Sequence, residues 1–391
     1  MAAPIPSASP PDTSPEPALD FDPARPIATA PTWHRDVTLV PWATEGDRGA
    51  RRAAGLFDAD GVFMPEGHCF RYAAGPITLE PHAPEAADTA ERLEGRWLYG
   101  GLLYGHFGHF LCETTSRLWA LDHVGEVDGI VFLPKNQMTH ERRHFRHHLP
   151  FFAAMGLTED RFQIRAPQAP VVIEELALAE PGFGIGDMIE GRPDFRAFMQ
   201  ANLGRDIAPD GPEDIYISRS QLPSKRGSVL LETLIEKRME DAGYTVFHPQ
   251  NHDLAVQIAT YKAARRIVSL DASSLHLAAM IISPETRVAI LNRGPTNNID
   301  DYIAQFTRWQ GRAPTRIEAV KGVWYPEGRR LKKRETHATL DLPLVCKALV
   351  ADGFLPKGTT WRAPTDAQLN RAVAAMSDRM GQPLQFLSGK K

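Results

Sequence analysis

Cysteine is scarce in this chain. Cys69, Cys112 and Cys346 are scattered over 391 residues, and no C-x-x-C pair occurs. So odd and dispersed a set supports neither a disulfide framework nor a thiolate zinc site, and it fits a reducing cytosol. Long apolar runs are missing too. No stretch approaches the roughly 20 uncharged apolar residues that a membrane-spanning helix requires. The N-terminus has neither the basic start nor the continuous apolar run of a secretory signal. The expectation is a cytoplasmic protein, reaching at most the inner face of a membrane by peripheral contact. Positive charge is short as well: 44 Lys and Arg against 48 Asp and Glu leave a net charge of -4. That argues against nucleic acid as a bulk partner. There is no G-x-S-x-G elbow and no Gly-rich Walker loop, which leaves a serine hydrolase and a P-loop NTPase as weak readings.

What is present describes an ordinary globular chain, 43% hydrophobic and 24% charged, long enough for two domains with full cores. Residues 1–32 are rich in Pro, Ala and Ser and read as a disordered tail. Short apolar pieces follow at Val37–Val40, Gly61–Met64 and Ile77–Leu79. From there strands and helices alternate. Gly129–Leu133, Phe162–Ile164 and Val171–Ala179 read as strands, with a helical region over 141–155 and a helix over 193–203. After a polar boundary at Gly204–Pro212 the alternation resumes. Strands are expected at 215–218, 245–247, 266–270 and 287–291, and helices at 229–241, 254–264, 274–281 and 299–306. The fold class is α/β, with two Rossmann-like domains over 33–204 and 205–340 facing across a cleft. Residues 341–391 are expected to form a helical tail, with a helix near 365–380, that packs back on the first domain.

One stretch concentrates chemistry. Tyr104–Leu121 sets His106, His109, Glu113 and Arg117 into an apolar run. On a helix His109, Glu113 and Arg117 would line one side. Two readings stand: a self-satisfied Glu113–Arg117 pair with His109 at the core edge, or a functional group. In the second half, strand 215–218 runs into Arg219, Ser220, Lys225 and Arg226, a cationic loop suited to phosphate oxygens. Strand 266–270 runs into Asp271-Ala272-Ser273-Ser274 and a helix, whose start can be capped by these side chains or offered to a ligand. His140, His144 and His148 have helical spacing, but interleaved Arg142, Arg143 and Arg146 favour an exposed basic face over a metal site. The run Arg329, Arg330, Lys332, Lys333, Arg334 reads as a solvated loop, with contact to an anionic membrane or polysaccharide the weaker alternative.

These residues together resemble the bacterial family-61 glycosyltransferases. Gly108–Trp119 is similar to the family's first motif, with His109, Glu113, Arg117 and Leu118 as the matching positions. Tyr216–Arg219 resembles the second motif, Arg226 with Glu232 the element after it, and Gly243, Gln257 and Ala264 fall in family-like places. The chain departs from the pattern with His106 for Asn, Ser116 for Pro, Leu231 for Asn, and Asp271-Ala272-Ser273 for His-Gly-Ala. The resemblance implies a GT-B architecture, a nucleotide-sugar donor held mainly by the second domain, an acceptor placed by the first, inversion at the anomeric carbon, and no metal or other cofactor. On it, His109 oriented by Glu113 is the expected base, with Asp271 as second choice. Arg219, Lys225 and Arg226 would hold the diphosphate, Ser273 and Ser274 would add donors, and Glu232 would bind ribose or sugar hydroxyls. His106 and Arg117 are acceptor-side or structural. The expected product is a surface polysaccharide or glycolipid. A catalytically inactive polysaccharide-binding homologue and a sugar-nucleotide epimerase are the competing classes.

Overall fold

The computed structural model describes residues 18–42, 51–84, 91–135, 140–223, 226–295, 297–332 and 335–389. Lys225, Lys333 and Arg334 lie outside the described residues. The strands of the first sheet are β1 (Thr32–Val40), β2 (Gly55–Phe57), β3 (Glu91–Leu103), β4 (Gly129–Pro134), β5 (Gln163–Arg165) and β6 (Val171–Leu178), in the order β2-β1-β6-β3-β4-β5. Strands β6, β3, β4 and β5 are parallel, and β1 and β2 add an antiparallel edge. Every residue of β4 is buried, which is why it reads as an unbroken apolar run in the sequence.

The second half holds β7 (Asp214–Ile217), β8 (Ser228–Val229), β9 (Thr245–Phe247), β10 (Arg266–Leu270), β11 (Arg287–Leu291), β12 (Thr315–Ile317), β13 (Val320–Pro326), β14 (His337–Leu340) and β15 (Leu384–Ser388). Five of them form a wholly parallel sheet, β9-β7-β10-β11-β12. The other four form a separate sheet, β8-β14-β13-β15. The helices are α1 (Phe107–Cys112), α2 (Arg142–Phe145), α3 (Leu149–Ala154), α4 (Pro193–Asn202), α5 (Glu232–Asp241), α6 (Leu254–Ala263), α7 (Ser274–Ile281), α8 (Asn298–Gln310), α9 (Leu342–Ala351) and α10 (Asp366–Met380). None of the described helices is long and apolar enough to cross a membrane.

The six-stranded and five-stranded sheets share one hydrophobic core, in which Phe110 and Phe152 of the first half join Ile215, Leu275 and Ile290 of the second. Helix α1 packs on α7, and α3 on α6. Loops at the carboxyl ends of β3, β7 and β10 are thereby brought face to face. This is a GT-B-like two-domain arrangement.

Four expectations need correction. The described part of the supposed tail is docked: the Leu19 N–H donates to the Ala73 carbonyl, the Ile27 N–H to Asp194 at 2.7 Å, and Arg192 to the Asp20 carbonyl. The C-terminal segment packs on the second half, not the first. Leu342, Val345, Leu349 and Trp361 sit in a core with Tyr216, Val229 and Leu291, and β15 pairs with β13. Its apolar side chains share one face of the second sheet with Ile235 and Met239 of α5. Third, the helix expected over 104–121 is α1 followed by a 3-10 stretch at Thr114–Asp122. The Thr114 hydroxyl donates to the Leu102 carbonyl and accepts from the Tyr104 N–H, while Thr115 bonds back to the Leu111 carbonyl, so side chains compete for the α-helical pattern. Fourth, the region 141–155 is broken by a 3-10 turn before Pro150, and His144 and His148 are buried at 7% and 2% exposure rather than on an exposed face.

Candidate active site

The first rim of the site is the turn between β3 and α1. The i,i+4 spacing brings the His109 Nδ1 onto Glu113 Oε2, while Arg71 Nε donates to Glu113 Oε1 at 3.0 Å. Burial works to raise the Glu113 pKa, but the His109 and Arg71 partners hold it below the ordinary carboxylate value. Because Nδ1–H is donated to the carboxylate, His109 keeps the lone pair on Nε2. Its side chain is 36% exposed, so that nitrogen can meet a ligand. Tyr104 stacks on His109 with ring centroids 5.3 Å apart, and its hydroxyl accepts from Arg71 at 3.1 Å.

The loop is clamped from behind. His148 Nε2 bonds the Tyr104 carbonyl at 2.8 Å and His147 Nε2 the Gly105 carbonyl at 3.0 Å, and His148 stacks on Phe110 at 3.7 Å. Burial drives the His148 pKa down to about 3, so it stays neutral and can donate. His106 stands at the mouth. The protein around its ring, then the charges of His109, Arg226, Arg219 and Lys135, push its pKa down to about 4.

Arg117 does not join this group. It is 1% exposed and donates to the carbonyls of Ala179 at 2.8 Å and His68 at 2.6 Å, with its guanidinium over the Tyr99 ring. It also lies against Gly101, whose positive φ of 81° and missing Cβ leave it room. The expected alignment with Glu113 fails because the helix ends between them. Arg117 holds loops together and faces away from the dyad.

The second rim comes from β7, β10 and β11. Arg219 follows β7; its N–H donates to Glu232 Oε1 at 2.8 Å and its guanidinium reaches the Arg226 and Gly227 carbonyls at 3.3 and 3.4 Å. Burial, then Arg293, depresses the Arg219 pKa to about 10. Glu232 also accepts from Tyr216 and Ser218 at 3.3 Å, so one of its oxygens pins the β7 loop. Its other oxygen is buried without a hydrogen bond, and burial raises its pKa to about 7. Arg226 is exposed beside this loop.

Asp271 is 1% exposed. Arg293 Nε lies 2.8 Å from its Oδ1 but directs its hydrogen to the Asp271 carbonyl at 2.7 Å, leaving both carboxylate oxygens without a hydrogen bond. Burial raises its pKa to about 6 against the pull of Arg293 and Arg219. Ser273 and Ser274 open α7, and neither caps it through its side chain. Behind them His276 bonds Gln305 at 2.7 Å and lies against Tyr302, with burial lowering its pKa to about 4.

The two rims touch. A Cβ placed on Gly108 would sit 2.8 Å from the Ser273 hydroxyl, so glycine is what lets α1 approach the start of α7 so closely. Thus His106, His109, Glu113, Arg219, Arg226, Glu232, Asp271, Ser273 and Ser274 fall in one neighbourhood, and Arg117 falls outside it. Sequence reading missed Arg71, Lys135, Arg293, His276 and Tyr302. Lys135 had a readable signal, since it directly follows a buried strand as Arg219 does. Among the described residues no group of three or more His, Cys, Asp or Glu could hold a metal ion. A cavity of about 650 Å³ lies elsewhere, at the amino ends of the second sheet between Asp214, Lys262, Arg266 and Arg287. Its charges are already committed, Arg266 to Asp214 and Lys262 to the Gly204 and Ile207 carbonyls.

Comparison with known proteins agrees with this geometry in one respect. No curated protein matches the chain. Among solved structures, the dodecameric iron-containing heptosyltransferase TibC in complex with ADP-D-beta-D-heptose is 14% identical, with 73% of this chain and 81% of that chain covered and a TM-score of 0.28. The dodecameric iron-containing glycosyltransferase TibC from enterotoxigenic E. coli is 13% identical, with 95% and 100% covered and a TM-score of 0.31. Overlap at that level does not bear on the chemistry. A family model does: residues 107–289, which run from α1 into β11 and contain His109, Glu113, Arg219, Glu232 and Asp271, match the model described as Glycosyltransferase 61, and that part of the chain is similar to those glycosyltransferases.

Proposed function

We propose that the protein is an inverting transferase that moves a sugar from a nucleotide-sugar donor to a surface polysaccharide or glycolipid, in the cytoplasm or at the inner face of the membrane. The observation that carries this reading is the contact of the two rims at Gly108 and Ser273, with a base candidate on one side and the cations Arg219 and Arg226 on the other. Inversion needs a base on the acceptor hydroxyl opposite the leaving diphosphate. His109 Nε2 takes that proton, and Glu113 stabilises the imidazolium that results. Arg219 and Arg226 neutralise the charge that grows on the diphosphate, and the free N–H groups at the start of α7 add to them. Asp271, whose pKa burial raises to about 6, is the second candidate for the base. Glu232 has one oxygen left for a donor hydroxyl, the other being committed to the β7 loop.

The test is a transfer assay with nucleotide sugars and an oligosaccharide acceptor, read by the anomeric configuration of the product. A product of inverted configuration, lost in His109→Ala, supports the reading. A retained configuration removes the single-displacement mechanism. Interconversion of donors without any acceptor would instead make the protein an epimerase.

A further inference from the structure

The first rim carries more positive charge than the dyad uses. Lys135 Nζ lies 4.4 Å from the centre of the Tyr104 ring, and the Arg71 guanidinium lies 5.7 Å from the same centre. Lys135 is fixed at the carboxyl edge of β4 by its N–H to the Leu103 carbonyl, next to the end of β3. Glu113 is the carboxylate within this group, and both its oxygens are taken by Arg71 and His109. Lys135 makes no ion pair with any described carboxylate. Burial, then the charges of Arg71 and Arg52 against that of Glu113, makes its ammonium less favourable than in water. A half-buried cation among cations is costly until an anion joins it.

Resting on the transferase reading above, we propose that this rim recognises an acceptor through a negatively charged group, a phosphate or a carboxylate, with Lys135 as its main contact and Arg52 as an outlying cation. Tyr104 has Lys135 over its ring and His109 stacked on it, so an acceptor anchored by its anion at Lys135 has its neighbouring hydroxyls within the span of His109. His106 feels the charges of Arg226, Arg219 and Lys135 alike, which places it near both the proposed anion contact and the cations of the second rim. An uncharged His106 adds no attraction for the anion or the donor diphosphate.

The experiment measures binding of glucose, glucuronic acid and glucose 1-phosphate by ligand-observed NMR to wild type, Lys135→Gln, Lys135→Arg and Arg219→Ala. Wild type should prefer at least one anionic sugar over glucose by about tenfold, and whichever of the two is preferred names the carboxylate or the phosphate as the recognised group. The preference should vanish in Lys135→Gln, return in Lys135→Arg and survive in Arg219→Ala. Equal binding of all three sugars to wild type overturns the proposal. So does a preference that vanishes in Arg219→Ala while persisting in Lys135→Gln, which would assign the anion to the donor side. A parallel nucleotide diphosphate panel keeps the two readings separate. If no nucleotide binds wild type, the transferase reading fails, and the sugar preference is judged by the Lys135 variants alone.

Discussion

Glu113 on the first rim and Asp271 on the second are both carboxylates with almost no solvent exposure, yet their surroundings differ. Glu113 has a cation or imidazole on each oxygen and is held ionised. Asp271 has no hydrogen bond to either oxygen, and Arg219 and Glu232 nearby each keep a buried polar atom unpartnered. Burial of such atoms without partners costs about 1–3 kcal/mol each. The contrast teaches where ligand energy is to be found. The His109–Glu113 dyad of the first rim is complete before anything binds and suits a group that must be aimed. The second rim is incomplete, and an anionic, hydroxyl-bearing ligand would supply what it lacks.

The largest expected effects come from breaking either rim at its central residue. Arg219→Ala should cut transfer by about 10²–10³-fold, because it removes a donor aimed at the charge that develops on the leaving group. His109→Ala should cost a similar factor in kcat, about 10²–10⁴-fold, while leaving nucleotide binding in place. Steady-state kinetics separate the two, since the first also raises the donor KM. Glu113→Gln should lower kcat by roughly 10–100-fold, because the dyad loses the charge that supports the imidazolium.

Stability gives the smaller tests. A carboxylate with a raised pKa costs stability as pH climbs from the unfolded value, 3.8 for Asp271, to the folded value of about 6, and the full cost persists above that. Asp271→Asn should therefore raise unfolding stability by about 1–3 kcal/mol at alkaline pH and by little at low pH, measured by denaturant titration. An equal effect at both ends would contradict the buried, unpartnered state of Asp271. On the acid side, the buried His148 and His276 have pKa values depressed to about 3 and 4, against 6.5 when unfolded. Stability should fall as pH drops below 6.5, where the unfolded chain takes up protons that the folded chain refuses. Replacing His148 with Gln should flatten part of that fall.

The second half was the more legible part of the sequence. Strands β9, β10 and β11 and helix α7 sit where the apolar alternation and its turn residues put them, and β10, β11 and α7 are buried runs bounded by polar loops. The His109–Glu113 contact was legible for the same reason, being a property of one helical turn. Arg71 was not, since it arrives from 42 positions away on a three-residue strand with no pattern of its own. Arg117 was misread because periodicity continues through a segment whose threonines switch the backbone to 3-10 geometry. The 13-residue strand β3 was hidden by its charged, glycine-interrupted sequence, which is buried without a break only from Trp97 to Leu103.

The most direct test compares nucleotide diphosphates as stabilisers of wild type, Arg219→Ala and His109→Ala by thermal shift. A ligand that binds only the native state raises its apparent stability by mass action. The account predicts a shift with at least one nucleotide diphosphate that is lost in Arg219→Ala and kept in His109→Ala. A shift lost equally in both variants, or absent from wild type, would contradict the division of labour between the two rims.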